Sequence, residues 1–326
     1  MRRPELLARL VLGLLVATAI AAPIWIRSRT ALIHARMADS GGWSPDVLHA
    51  QVGQPLHLSL TSDDVMHGFA VGQMDMPSVD VEPGKVSDIT LSFKKPGTYT
   101  FYCTRWCGIN HWRMRGTIEV TGDEPTSDNV AAPLYVQLGL DIDAAHEAAV
   151  VPGRAPSAGG GAQLADSPAL SAFLRPDFYR THSPYETWQQ LRSEPQLSQR
   201  GDQQLWDMVA FIWQSNTTPE AVARGRQLFE QNCAACHGAS GGGNGVFADQ
   251  LASASAAGGV NMMVQRPANL ADPRRMLGAS PALLEGKILR GGMGTGMPSW
   301  GPIFNEAEIW KIISYLYTFQ FKEFSQ

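Results

Sequence analysis

Cys103-Thr104-Arg105-Trp106-Cys107-Gly108-Ile109-Asn110-His111-Trp112-Arg113-Met114 is the stretch that decides how the rest of the chain is read. It sets two thiols, an imidazole and a thioether close together, all soft or borderline ligands of the kind copper prefers. A mononuclear blue-copper loop needs one Cys, a nearby His and a Met. Here a second Cys precedes the first by one short step, so two sulfurs can bridge two metals. A partner imidazole must come from elsewhere, and Asp63-Asp64-Val65-Met66-His67-Gly68-Phe69 supplies it upstream. A Cys103–Cys107 disulfide or a zinc site would use the cysteines. Neither requires the full Cys-x3-Cys-x3-His-x2-Met run.

The flanks read as short strands. Leu56 to Leu60 and Thr98 to Tyr102 alternate, Gly116 to Val120 closes the segment, and Glu82-Pro83-Gly84-Lys85 and Lys95-Pro96-Gly97 mark turns. Such punctuation over residues 40–122 fits a small β-sandwich, with the metal loop between its last two strands and His67 after an earlier one.

Taken together, the two motifs resemble the binuclear CuA domain of cytochrome c oxidase subunit II and of nitrous oxide reductase. That resemblance implies a cupredoxin fold and a ligand set of His67, Cys103, Cys107, His111, Met114 and the backbone carbonyl of Arg105. Subunit II of the mitochondrial-type oxidases carries Glu where this chain has Arg105, and there the Glu also serves a magnesium site. The His-rich domain of nitrous oxide reductase is absent from the sequence, which excludes that enzyme.

Further on, Cys233-Ala234-Ala235-Cys236-His237 is the attachment pattern of c-type haem: two sulfurs for the porphyrin edge, then an imidazole for the iron. A thioredoxin-like Cys-x-x-Cys would need neither His237 nor a Met-Pro segment near the end of the chain. Gly294-Thr295-Gly296-Met297-Pro298 resembles the cytochrome c loop in which Met precedes Pro, implying Met297 as the sixth ligand, with Met293 as the alternative. A thioether fills the coordination sphere and raises the potential, which suits electron transfer. Thr217 and Glu220 have capping-box spacing at the head of this domain, residues 217–326. The domain closes on an amphipathic helix with Ile309, Ile312, Ile313 and Leu316 on one face.

Between the two motif-bearing regions, residues 123–164 read as a linker. Residues 165–216 read as a haem-less copy of the cytochrome domain. Leu205 to Trp213 matches Ile309 to Tyr317 in size and polarity, each downstream of an Arg-Pro and a Ser-Pro.

The N-terminus carries Arg2, Arg3 and Arg9 before an apolar run from Leu10 to Ile26. This predicts a single transmembrane helix within residues 1–36, with the remainder exported; a cleaved signal peptide with its site near Ala19-Ile20-Ala21 is the alternative. The expected fold class is therefore multidomain: N-terminal transmembrane helix, all-β cupredoxin sandwich, then all-α cytochrome c-like domains.

Composition agrees. At 326 residues, 44% hydrophobic, 17% charged and net charge −4, the chain has room for several globular domains and lacks the basic balance of a nucleic-acid binder. All four cysteines fall inside the two motifs, leaving none for a structural disulfide. The cofactors implied are binuclear copper (CuA) and one covalent haem c.

The resemblance implies an electron-input subunit of a haem–copper respiratory oxidase, itself without a substrate-reducing site. It would lie in the cytoplasmic membrane with its domains on the periplasmic side. Its partners would be cytochrome c or another donor and a subunit I-like catalytic subunit. A CuA-containing nitric oxide reductase and a free-standing periplasmic electron carrier are the alternatives.

Overall fold

The computed structural model describes Leu12 and residues 31–108, 110–123, 131–165, 168–251, 266–292 and 296–322. It divides into two compact units, Met1–Asp128 and Asn129–Gln326. Among the described residues no helix is long and apolar enough to cross a membrane. The expected membrane helix over Leu10 to Ile26 lies, apart from Leu12, outside them.

The first unit is a β-sandwich. Its strands are β1 (Ala31–Ala35), β2 (Trp43–Ser44), β3 (Val47–Gln51), β4 (Pro55–Ser62), β5 (His67–Val71), β6 (Val79–Val81), β7 (Ser87–Ser92), β8 (Gly97–Cys103) and β9 (Arg115–Thr121). One sheet runs β2-β1-β4-β7 and the other β3-β9-β8-β5-β6. The pairs β1–β4 and β3–β9 are parallel; the rest are antiparallel.

Side chains alternate faces along a strand, and that period positions the site. In β8 the step of two that buries Phe101 also buries Cys103, and in β9 it buries Ile118 and Val120. In β5 it sets His67 on the same face as Phe69, which stacks on Phe101 at 5.5 Å. Trp43 closes this cluster edge-on, 5.6 Å from Phe69 and 5.8 Å from Phe101. His67 and Cys103 thus sit at one end of a buried aromatic core.

The sandwich begins earlier than expected. Ala31–Ala35, assigned from sequence to the membrane anchor, is a strand parallel to β4 with Ile33 and Ala35 fully buried. So short a segment, apolar but for His34, fits a half-buried strand as well as a helix end, and here the partner strand decides.

The second unit is helical. Its elements are α1 (Leu134–Gln137), α2 (Ala158–Ala162), α3 (Pro176–Thr181), α4 (Pro184–Ser193), α5 (Asp202–Ser215), α6 (Pro219–Asn232), α7 (Ala234–His237), α8 (Pro273–Leu277), α9 (Pro281–Arg290) and α10 (Glu306–Leu316). The apolar stripe of α10 is buried as its spacing predicts, with Ile309, Ile312, Ile313 and Leu316 all at most 5% exposed. Helix α6 starts one residue later than the capping-box spacing suggests: Thr218, not Thr217, accepts from Ala221 N at 3.1 Å.

The segment read as a linker is in large part packed. Ile142 and Ala148 are buried, Glu285 accepts from Tyr135 N at 3.0 Å, and Lys287 donates to the Ile142 carbonyl at 2.7 Å. Arg290 forks onto Asp143, and α2 occupies the end of the segment. These residues form a strap across α9.

Candidate metal and haem centres

Three pieces of chain build the first site: the start of β5, the end of β8, and the loop from Thr104 through the 3-10 turn His111–Arg113 into β9. Cys103 Sγ lies 3.8 Å from Cys107 Sγ, and both thiols are free. His67 Nδ1 is 3.8 Å from Cys103 Sγ, and His111 Nδ1 is 3.9 Å from Cys107 Sγ. Met114 Sδ is 3.3 Å from Cys107 Sγ, and the Arg105 carbonyl is 3.3 Å from Cys103 Sγ. All six residues expected as ligands therefore converge. Among the described residues His67, Cys103 and Cys107 form a cluster whose donor atoms lie within 4.8 Å of one another.

The donor set fits copper. Two unbonded sulfurs face each other, each with an imidazole nitrogen, one with a thioether and the other with a carbonyl. This soft, nearly symmetric set suits a pair of copper ions. His67, His111 and Met114 are at most 3% exposed, so these donors are shielded from water.

Electrostatics follow from the same packing. The two thiols share their protons unequally. The hydrogen bond from Cys107 holds the Cys103 thiol far below its ordinary value, with His111 and His67 adding to the effect. Cys107, facing that thiolate, is pushed up. Burial opposes charge on His67, but hydrogen bonds to Cys103 and Asp64 outweigh it and raise the imidazole. Asp64 is likewise opposed by burial, yet is held low by the Met37 amide, His67 and the Val65 amide.

Several supports of this site were not read from the sequence. Asp64 Oδ1 accepts from His67 Nε2 at 2.7 Å, which turns Nδ1 toward the sulfurs. The Asp-x-x-His spacing carried that signal. Arg105 makes a fork onto Asp80 of β6, with contacts of 2.6 to 2.9 Å, so the loop bearing the Arg105 carbonyl is tied to the sheet. Gly68 lets this loop lie flat: a Cβ there would run into Thr104 Oγ1 and the Arg105 side chain. The Met114 carbonyl accepts from Trp43 Nε1 at 3.1 Å and from Cys103 N at 3.0 Å. Asn110, in the left-handed region, donates to Asp39 at 3.0 Å. No sequence signal marks these longer-range partners.

The second site follows α6. Cys233 ends that helix, and α7 carries Cys236 and His237 on one short turn. Burial pushes the Cys233 thiol up to about 12 and the Cys236 thiol up to about 11. Burial also lowers His237, against a hydrogen bond from its Nδ1 to the Ala268 carbonyl at 2.9 Å. That bond fixes the ring and leaves Nε2 for a metal. The three side chains thus fit covalent haem with an imidazole ligand.

Met297 lies in the segment between α9 and α10. Gly292 N donates to the Met297 carbonyl at 3.1 Å, and Trp300 N to the Ile288 carbonyl at 3.1 Å, fastening the loop to the end of α9. Met293 lies outside the described residues.

Comparison with known proteins supports both halves. The family described as cytochrome c oxidase subunit II, periplasmic domain, matches residues 45–121. The family described as cytochrome c oxidase, cbb3-type, subunit III matches residues 220–316. Cytochrome c oxidase subunit 2 of Thermus thermophilus is 38% identical over 84 residues, 26% of this chain and 62% of that protein. That of Synechocystis is 33% identical over 85 residues, 26% of this chain and 25% of that protein. The matched stretch therefore spans less than two thirds of these relatives.

Among solved structures, the periplasmic domain of cytochrome oxidase subunit II of Bradyrhizobium japonicum is similar at 19% identity and TM-score 0.26. It covers 29% of this chain and 84% of that one. Auracyanin of Roseiflexus castenholzii is similar at 17% identity and TM-score 0.24, covering 29% and 98%. The chain therefore carries a segment that matches the cytochrome c oxidase subunit II periplasmic domain, followed by one that matches the cbb3-type subunit III family.

Proposed function

We propose that this chain is the electron-input subunit of a haem–copper respiratory oxidase. Electrons from reduced cytochrome c would be received at a haem c on Cys233, Cys236 and His237, pass to a CuA pair, and leave to a catalytic subunit in the membrane. The observation that carries the reading is the convergence of His67, Cys103, Arg105, Cys107, His111 and Met114 on the same chain as a partly buried Cys-x-x-Cys-His turn.

Both groups, when bound, supply reversible one-electron chemistry with their ligand positions filled. The chain's own part is to hold the ligands still. Cys103, Cys107, His67, His111, Met114 and the Arg105 carbonyl would hold the copper pair. Asp64 fixes the His67 ring and the Ala268 carbonyl fixes His237. Trp43, Phe69 and Phe101 exclude water behind the copper ligands. With the ligands set in advance by two strands and a loop tied to the sheet, little has to move on a change of charge.

The test is turnover of the complex that copurifies with this chain from native membranes, supplied with reduced cytochrome c and either oxygen or nitric oxide. Oxygen consumption is expected. Nitric oxide consumption with little oxygen uptake would instead assign the chain to a CuA-containing nitric oxide reductase. The Arg105–Asp80 pair, standing where mitochondrial-type subunits carry Glu, is the observation that keeps this second reading in view. A chain that purifies from membranes without any catalytic partner would contradict both.

A further inference from the structure

The helical unit contains its plan twice. In the haem-bearing half, α8, α9 and α10 follow the haem motif; in the other half α3, α4 and α5 come in the same order. Pro176 and Pro273 open α3 and α8. Counting on from each without a gap, Ser183 and Ser280 cap α4 and α9, accepting from Glu186 N at 3.1 Å and Leu283 N at 3.2 Å. A proline follows each cap. In α5, Leu205, Met208, Val209 and Ile212 are fully buried, as are their counterparts Ile309, Ile312, Ile313 and Leu316 in α10 to within 5%.

Two amphipathic helices can share an apolar pattern by chance, but a shared crossing point is harder to obtain. Gly225 of α6 rests on the backbone carbonyl of Lys311, with Tyr315 Cβ 3.0 Å from where a Cβ would stand. Gly161 of α2 rests on the backbone carbonyl of Asp207, with Phe211 Cβ at 2.7 Å. Asp207 and Phe211 occupy in α5 the positions that Lys311 and Tyr315 occupy in α10. Only glycine allows so close an approach of two backbones, and it stands at the same register in both halves.

The haem-binding residues can then be followed from one half to the other. Counting on from Gly225 gives Cys233, Cys236 and His237; the same steps from Gly161 give Ala169, Ala172 and Phe173. Phe173, at the count that gives His237 in the other half, is a buried apolar residue. The connection between α9 and α10 carries Met297, whereas residues 194–201, between α4 and α5, are a shorter connection with no methionine. Attachment thiols and both axial ligands are thus missing together.

What the half without haem still does is support the other. Trp213, fully buried, packs edge-on against Tyr317 at 5.8 Å and near Phe321 at 6.2 Å. Trp213 and Tyr317 are equivalent positions, so the halves meet through matching residues, as in a local two-fold arrangement. Arg180 lies over the Trp310 ring at 4.6 Å. Lys322 N donates to the Pro156 carbonyl at 2.8 Å, joining the end of one half to the start of the other.

We infer that residues 157–215 are a second cytochrome c-type lobe that has lost its haem and now braces the haem-bearing lobe, with Trp213 and Arg180 as positioning residues. This rests on the reading of Cys233, Cys236 and His237 as a haem site.

The experiment uses the full, haem-loaded chain and its Trp213→Ala and Arg180→Met variants. Acid-stable haem per chain is counted, and denaturant unfolding is followed in the ferric absorption that reports thioether-to-iron ligation and in the copper absorption. One haem per chain is expected. The haem-reported midpoint should fall clearly in Trp213→Ala and by a smaller step in Arg180→Met, with the copper-reported midpoint unmoved. Should Trp213→Ala yield no folded chain, Arg180→Met decides. A second acid-stable haem would overturn the lost-haem reading, and an unmoved haem midpoint in the folded variants would overturn the brace. A chain with no covalent haem would overturn the haem site itself, an outcome separable from either.

Discussion

Cys107 sits where the copper-site donors meet: its sulfur is within 4 Å of Cys103 Sγ, His111 Nδ1 and Met114 Sδ. Cys107→Ser should therefore abolish the mixed-valence two-copper signal in electron paramagnetic resonance while leaving the haem absorption as it was. Persistence of that signal would show that Cys107 is not a bridge. Asp80 tests a subtler point. Its pair with Arg105 is about half exposed, so losing it should cost at most about 1 kcal/mol of stability. Asp80→Ala should nonetheless shift the copper absorption and hyperfine pattern, because Arg105 lends its carbonyl to the site and would lose its tether. A variant with unchanged copper spectra would make the pair merely a surface contact. The candidate ligands were legible in the sequence because few other purposes need two cysteines, two histidines and a methionine at those intervals. Asp80 and Ala268 were not, since each reaches its partner through strand pairing or a loop return that no local spacing encodes.

The strap over α9 gives the element scale its own test. Burial raises Glu285 above the ordinary carboxylate value of 4.5, despite hydrogen bonds from the Tyr135 and Leu134 amides that favour its charged form. A carboxyl whose folded pKa is raised adds stability that is complete below the unfolded value and is lost as pH rises through the folded one. Glu285→Gln keeps an acceptor for the Tyr135 amide and removes the buried charge. It should stabilise the helical unit near neutral pH and flatten the loss of stability as pH rises above 4.5. Denaturant midpoints measured across that range check this; parallel curves for the two proteins would contradict it. Amphipathic α10 and strands β4, β8 and β9 could be read from periodicity because their apolar positions repeat. The strap could not. Its contacts are made by single residues such as Ile142 and Tyr135 filling the space left by Gly286, and a lone apolar residue in a Pro- and Gly-rich stretch has no period to detect. Likewise Ala31–Ala35 is too short to declare itself strand or helix without β4 beside it.

At the scale of the whole molecule, the order sandwich then helical region was readable because each carries a cofactor motif with little ambiguity, and the proposed helical repeat was visible as matched apolar helices. Its extent was not. The start proposed for the haem-less lobe, Ser157, is hidden in a Gly-rich run and is recognisable only when Gly161 is seen lying on the Asp207 backbone. The central claim is that a haem on the helical unit feeds a copper pair on the sandwich of the same chain. Rapid mixing of the oxidised, fully loaded chain with a substoichiometric amount of reduced cytochrome c tests it most directly, read at haem and copper wavelengths together. The expected result is haem reduction followed by haem reoxidation and loss of the copper absorption at one shared rate, independent of protein concentration. Copper that stays oxidised, or a second phase whose rate rises with protein concentration, would contradict transfer within the chain.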